Sequence, residues 1–197
     1  MEDFVYILDH LPRGRPDDPR RRDPVAYALG EKNFVLLEVV PRPDAALLVG
    51  DRIDVRREAA PGPVDHVRGR VRFEEMTHAA QGELPFVIEQ AVKAQEERFL
   101  NFYNNAGPIT LRMHQLELLP GLGKKLMMAI LDEKKKGGAY KSFRDMDTRV
   151  KALHAPEKLI ANRILGEIQN PSEKYHLFAL PPAPEFDDRR GPPPRHR

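Results

Sequence analysis

One stretch near the middle of the chain, Leu116-Glu117-Leu118-Leu119-Pro120-Gly121-Leu122-Gly123-Lys124-Lys125, constrains the fold more than any other. Pro120 donates no backbone hydrogen bond and ends the element before it. Gly121 and Gly123 permit backbone angles closed to other residues, or leave open space above the chain. Leu122 is expected to point inward and pin the turn. The apolar period of Leu126-Met127-Met128-Ala129-Ile130-Leu131 is that of a helix. The stretch therefore predicts a helix over 110–119, capped by Thr110 and buried along Leu111, Leu116, Leu118 and Leu119. A tight turn follows, then a second helix from Lys124 to about Lys136, closed by Gly137-Gly138. Bare amides at the start of that second helix, beside Lys124 and Lys125, make a site for a phosphate oxygen.

Pro120, Gly121, Leu122, Gly123, Lys124, Lys125 and Ala129 together resemble a helix-hairpin-helix motif, which binds nucleic-acid backbones without regard to sequence. An ordinary helix–turn–helix corner with a glycine cap is the plain alternative. Charge favours the first reading. The chain holds 32 basic and 30 acidic residues, yet residues 107–165 carry twelve Lys/Arg against six acids, a local charge of +6. The positive charge travels with the hairpin, as a backbone-binding module requires. Arg112 and Lys141 flank it and are candidate phosphate contacts.

Before the hairpin the apolar pattern is that of strands. Residues 3–9, Val25–Leu29, Asn33–Val40, Leu47–Val55 and Val64–Phe73 are β-branched or alternating, with Phe34–Val40 nearly continuous and so expected at the sheet centre. Short strands without a helix long enough for a parallel crossover predict a small antiparallel β-barrel over 1–82. OB-like topology is expected, with an SH3-like barrel as the alternative. Residues 10–24 are rich in proline and arginine and predict a long loop or arm. Arg68, Arg70 and Arg72 fall on one side of the last strand, where they either contact phosphates or form a solvated face balanced by Asp65, Glu74 and Glu75. From Thr77 the period lengthens: Leu84, Val87, Ile88, Ala91, Val92, Phe99 and Tyr103 predict one amphipathic helix of about twenty residues, with Pro85 in its first turn. It would connect barrel and hairpin module over 83–106.

Sliding the chain on itself by 34 residues brings Leu119 onto Leu153, Lys124 onto Lys158, Leu126 onto Ile160, Ile130 onto Ile164, Leu131 onto Leu165 and Glu133 onto Glu167. The turn is not retained, since Pro120-Gly121-Leu122-Gly123 becomes His154-Ala155-Pro156-Glu157. A pair of hairpin units over 107–180 is expected, the second degenerate, with phosphate bound mainly by the first. Tyr175–Leu180 predicts a closing strand or a packed extension. The segment 181–197, with six prolines and four arginines, predicts a disordered tail.

The fold class expected is thus α+β, an OB-like barrel followed by an all-α paired helix-hairpin-helix domain. With no cysteine there is no disulfide, thiolate ligand or thiol nucleophile. No apolar run reaches the roughly eighteen residues of a membrane span, and the acidic start Met1-Glu2-Asp3 does not suit a signal peptide. A soluble, cytoplasmic monomer without membrane partners is expected. The histidines form no metal-ligand spacing, His66 and His114 read as packing or hydrogen-bonding residues, and Gly-Leu-Gly-Lys-Lys lacks the spacer and Ser/Thr of a phosphate-binding P-loop. No metal, cofactor or catalytic residue is proposed. A DNA glycosylase-like enzyme would need a catalytic Asp where Asp145 and Asp147 stand, but too little chain follows for a base-flipping pocket. Asp145 reads more simply as the acidic first turn of a helix after Ser142.

From Glu2 to Leu180 the chain resembles an archaeal family of small proteins classed as a domain of unknown function and described as RNA- or nucleotide-binding. The resemblance rests on Asp3-Phe4-Val5-Tyr6-Ile7-Leu8-Asp9, Asp65-His66-Val67-Arg68-Gly69-Arg70-Val71, Glu83-Leu84-Pro85 and Met113 to Lys125. It implies a barrel joined to a hairpin pair and a partner in RNA rather than DNA, with the ribosome as its setting. It implies no established activity. The function expected is sequence-independent clamping of a nucleic-acid backbone. A protein–protein adaptor that docks through the helical pair is the alternative.

Overall fold

A computed structural model describes residues 2–15, 23–56 and 61–181, and in it the expected strands lie in one curled antiparallel sheet. β1 (Phe4–Leu11), β2 (Val25–Gly30), β3 (Leu36–Pro41), β4 (Arg52–Asp54) and β5 (Val64–Arg70) take the spatial order β4-β1-β2-β3-β5. Tyr6, Leu8, Tyr27, Leu29 and Leu36 face the helices, while Val5, Ile7, Ala26, Ala28, Leu37 and Val39 pack with Leu47 and Val64 on the other face. Burial on both faces is why the central strands read as continuous apolar runs.

The expected barrel does not close, and the fold is α+β with a half-barrel. Every neighbouring pair in the sheet is antiparallel, so β4 and β5 run in the same direction at its two edges. Pairing parallel strands takes a crossover of about a dozen residues or more. Only residues 55–63 separate β4 from β5, so the seam stays open.

The single connecting helix is two. α1 (His78–Ala94) starts under the cap of Thr77, whose hydroxyl accepts the Ala80 N–H at 3.1 Å, and α2 (Glu96–Asn105) follows a break at Gln95. Pro85 therefore lies inside α1 and not in its first turn. The cap, more than the apolar period, set the start. α1 packs on β1 and on the last helix, α5 (Pro156–Gln169). One continuous core runs from the sheet through Leu84, Ile88 and Phe99 to Leu116, Ile130 and Ile160.

The helix expected over 110–119 is absent. A two-stranded turn, β6 (Pro108–Thr110) and β7 (Met113–His114), leads into one 3-10 turn at Gln115–Leu118. Two prolines, Pro108 and Pro120, bound this segment, and what fits between β7 and Pro120 is too short to nucleate an α-helix. α3 (Lys124–Gly137) and α4 (Phe143–Arg149) complete the helical half.

Tyr175–Leu180 is a packed extension and not a strand. Glu167, fully buried on α5, accepts the amides of Leu177, Phe178 and Ala179 at 2.8, 3.0 and 2.8 Å and the Arg163 Nε at 2.7 Å. Arg163 also donates to the carbonyls of Leu118 and Tyr175 and pairs with Glu173. The Phe178 ring meets those of Phe99 and Phe102 edge-on at 5.5 and 4.9 Å. The predicted arm over 10–24 is described only up to Arg15 and from Asp23, and the tail beyond Pro181 lies outside the described residues. Removing one member of a buried ion pair strands the other. Glu167→Gln is thus expected to lower stability by about 3–5 kcal/mol in urea denaturation. Glu173→Gln, on the wetter side of Arg163, is expected to cost less than about 1 kcal/mol.

Candidate nucleic-acid interface

The corner Leu119–Lys125 is built as a tight turn on a buried plug. Leu119 and Leu122 are buried, and the Leu122 N–H bonds the Leu119 carbonyl at 3.0 Å. Gly121, with φ +83°, takes the left-handed angle that the turn requires. Pro120, Gly121, Gly123, Lys124 and Lys125 are all exposed. The first helical bond of α3 runs from Met127 N–H to the Gly123 carbonyl, which leaves the amides of Gly123, Lys124, Lys125 and Leu126 without intrahelical partners.

How the other helices treat their first turns is the informative contrast. α1 is capped by Thr77, and α4 by Ser142, which accepts the Asp145 N–H at 2.9 Å. Proline at its start and Glu157 in its first turn suit the dipole of α5. α3 has neither a side-chain cap nor an acid in its first turn, and carries two lysines instead. Lysines at that end add to the dipole's positive potential. The arrangement is relieved by an anion. At the other end, Arg149 donates to the Glu133 and Gly138 carbonyls at 2.6 and 3.0 Å and satisfies the C-terminus.

At the offset of 34 some local features recur. Leu119 N–H bonds the Leu116 carbonyl at 3.1 Å, and Leu153 N–H bonds the Val150 carbonyl at 2.8 Å. Gly121 has φ +83°, and Ala155, its equivalent, has φ +51°. Ile130 and Ile164 are both fully buried. The helix starts do not follow the offset: left-handed Ala155 is itself the N-cap of α5, whereas Gly121 lies two residues ahead of Gly123, the N-cap of α3.

The other predicted contacts are dispersed. Arg112 stands exposed at the β6–β7 tip, and Lys141 is exposed before α4, its amide bonded to Asp145. Arg68, Arg70 and Arg72 lie on and just beyond β5, which packs chiefly on β3, away from the corner. They do not form a single face. Val39 pairs with Val67 and Glu38 with Gly69, so Arg68 is bulged out of register and the alternation fails there. Arg68 pairs with Glu38, Arg72 with Glu75, and Arg70 donates to the Pro181 carbonyl.

On the sheet face turned from the helices, a cavity of about 510 Å³ opens at the seam between β4 and β5. Its floor is aliphatic (Val35, Leu37, Val64, Val67), and its rim holds two neutralised pairs, Arg42–Asp65 and Arg56–Asp54. Nothing in the one-dimensional pattern signalled this cavity, because it arises from the unclosed seam. Among the described residues no cluster suits a metal ion, and no helix is long and apolar enough to cross a membrane. Asp145 accepts the Lys141 amide and pairs with Arg149, contacts that hold its carboxyl below the ordinary range; it is a helix-capping group.

Residues 1–180 match a family described as a protein of unknown function, DUF655. The chain belongs to that family. This DUF655 chain is 38% identical over 179 residues to the uncharacterized protein MJ0038 of Methanocaldococcus jannaschii, a match spanning 90% of the chain and 80% of that protein. Its fold is similar to the crystal structure of Af1531 from Archaeoglobus fulgidus, with a TM-score of 0.84 and 47% identity, covering 91% of this chain and 100% of that one. The half-barrel with its helices is therefore a DUF655 architecture, and the segment after Leu180 lies outside the family match.

The handed turns give a pair of opposite expectations. A Cβ on Gly121 would meet only Leu159, at 3.9 Å, so the penalty of Gly121→Ala is that of the backbone angle alone, about 1–2 kcal/mol. Ala155→Gly relieves the same angle in the second turn and is expected to raise the urea midpoint. His114 supplies a pH dependence. Burial lowers its pKa from the ordinary 6.5, and its Nδ1 accepts the Leu116 N–H at 3.2 Å, which needs an unprotonated nitrogen. Below about pH 6.5 the unfolded state binds the proton more readily than the folded one, so stability falls on acidification until the folded imidazole also titrates. His114→Asn keeps a capping acceptor and is expected to flatten stability against pH over that window; an unchanged profile assigns the acid sensitivity elsewhere.

Proposed function

We propose that this DUF655 protein binds nucleic acid, RNA in particular, by its sugar–phosphate backbone and without regard to sequence. On this reading the corner at 120–125 is the intact half of a helix-hairpin-helix pair, and the turn before α5 is the degenerate half. The observation that carries it is the N-terminus of α3: free amides, no cap, no acid, and exposed Lys124 and Lys125 with no ion partner among the described residues. A phosphate is the anion that suits it, because unpartnered amides and two exposed lysines stand together at one helix start. RNA takes precedence over DNA from the resemblance, and ribosomal RNA is a natural first probe. Lys141 and Arg112 extend the cationic surface. The β5 arginines are secondary contacts at most, since Arg68 and Arg72 already hold carboxylates.

A protein–protein adaptor is the second reading, and the open seam favours it. The outer edge of β5 has no strand beside it among the described residues, next to an aliphatic cavity. An extended peptide would fit there by adding a strand.

Backbone contacts release counterions, so affinity falls steeply with salt, with a log–log slope of about −3 for ~3 duplex phosphates and somewhat shallower on single strands. Lys124→Ala with Lys125→Ala is expected to weaken binding evenly across RNA sequences and to flatten that slope by about 1–2, measured by filter binding at several salt concentrations. Affinity and slope unchanged in the double variant would remove the corner as the binding site.

A further inference from the structure

Leu111 is the most exposed large apolar residue described, at 106% of its reference area. It was expected in the core and stands instead at the tip of the β6–β7 turn. Thr110 pairs with Met113, so the loop is two residues, Leu111 and Arg112. Two-residue hairpin loops favour Asn, Asp and Gly, because the turns that match strand twist need left-handed angles. Neither residue here is of that kind, and neither has a positive φ. The tip thus departs from turn chemistry and places an aliphatic side chain where it buries nothing.

The tip is nevertheless held firmly. Arg112 N–H bonds the Thr110 hydroxyl at 3.3 Å, and at the base Gln115 and Gly107 exchange two bonds of 2.9 Å. The Arg112 guanidinium has no partner among the described residues. From the tip, two strand residues and a 3-10 turn of four lead to the corner, about 15 Å of chain at ordinary rises. That contour is an upper bound on the separation of the tip from the start of the corner, a span of a few nucleotides on one strand.

We propose that Leu111 packs against the face of an unpaired base in the strand whose phosphate sits at the start of α3, with Arg112 on an adjacent phosphate. This rests on the nucleic-acid reading and narrows it. The substrate is RNA with unstacked bases, since in a continuous A-form duplex the base faces are closed and the major groove is too narrow for side chains. The contact is apolar and tolerant of base identity, in keeping with backbone binding.

The test uses the full chain and a short RNA carrying 2-aminopurine, single-stranded and as a duplex, at low salt. The wild type is expected to change 2-aminopurine fluorescence in the single strand and to prefer it over the duplex. Leu111→Ala should lose up to about 50-fold of single-strand affinity, the span set by burying the three carbons it removes against a base. Its salt slope, duplex affinity and urea midpoint should stay as in the wild type, and Leu111→Phe should retain the fluorescence change. If Leu111→Ala binds the single strand like the wild type while Lys124→Ala with Lys125→Ala still weakens binding, the base contact is overturned and the backbone reading stands. If the wild type binds neither RNA, the backbone reading itself falls, and the base contact with it.

Discussion

A carboxylate with no exposed surface, Glu167, organises the helical half of the molecule. Its desolvation costs several kcal/mol and is offset only because three backbone amides and a guanidinium converge on it. Those donors come from two places. The amides belong to the C-terminal extension, which is thereby laid across α5 so that Phe178 reaches α2 and the Leu180 amide reaches the Asn33 carbonyl beside the sheet. The guanidinium of Arg163 reaches further, to the Leu118 carbonyl that immediately precedes the corner. The presentation of the corner therefore depends on an ion pair dozens of residues away in sequence.

The corner's chemistry follows from an asymmetry between two related turns. Both carry a short hydrogen bond and a left-handed residue at the offset of 34, although α5 begins earlier in its turn than α3 does. The turn before α5 is satisfied internally, with Pro156 and Glu157 at a positive helix end. The turn before α3 is not, and its lysines increase the unmet potential. On our reading packing needs both units, since a lone pair of short helices cannot bury its apolar face. Ligand binding, on our reading, needs only one.

The sheet contributes a second, independent feature. Two strands at opposite edges run in the same direction with too little chain between them to cross over, so a half-barrel is the only closure available. The seam exposes an aliphatic floor rimmed by pairs of opposite charge.

Strand positions, the buried plug Leu122 and the exposed lysines were legible in the sequence because each depends on neighbours within a few residues. The local chemistry of proline, glycine and alternating valines is enough for that. The incoming helix was misread because leucine spacing over 110–119 suits a helix, whereas the prolines at either end and the bond between Gln115 and Gly107 decide otherwise. The arginine face of β5 failed for a related reason: a bulge opposite Glu38 cannot be seen without the partner strand. Glu167 reads on its own as a surface residue of an amphipathic helix, and nothing within its turn says that three distant amides will close over it. What the sequence by itself determined, then, is where most strands and the later helices fall, and where cations crowd a helix start. The tertiary structure alone decided which carboxylate is buried, which edges stay unpaired and which leucine is left bare, because each of these depends on long-range pairing that no local pattern encodes.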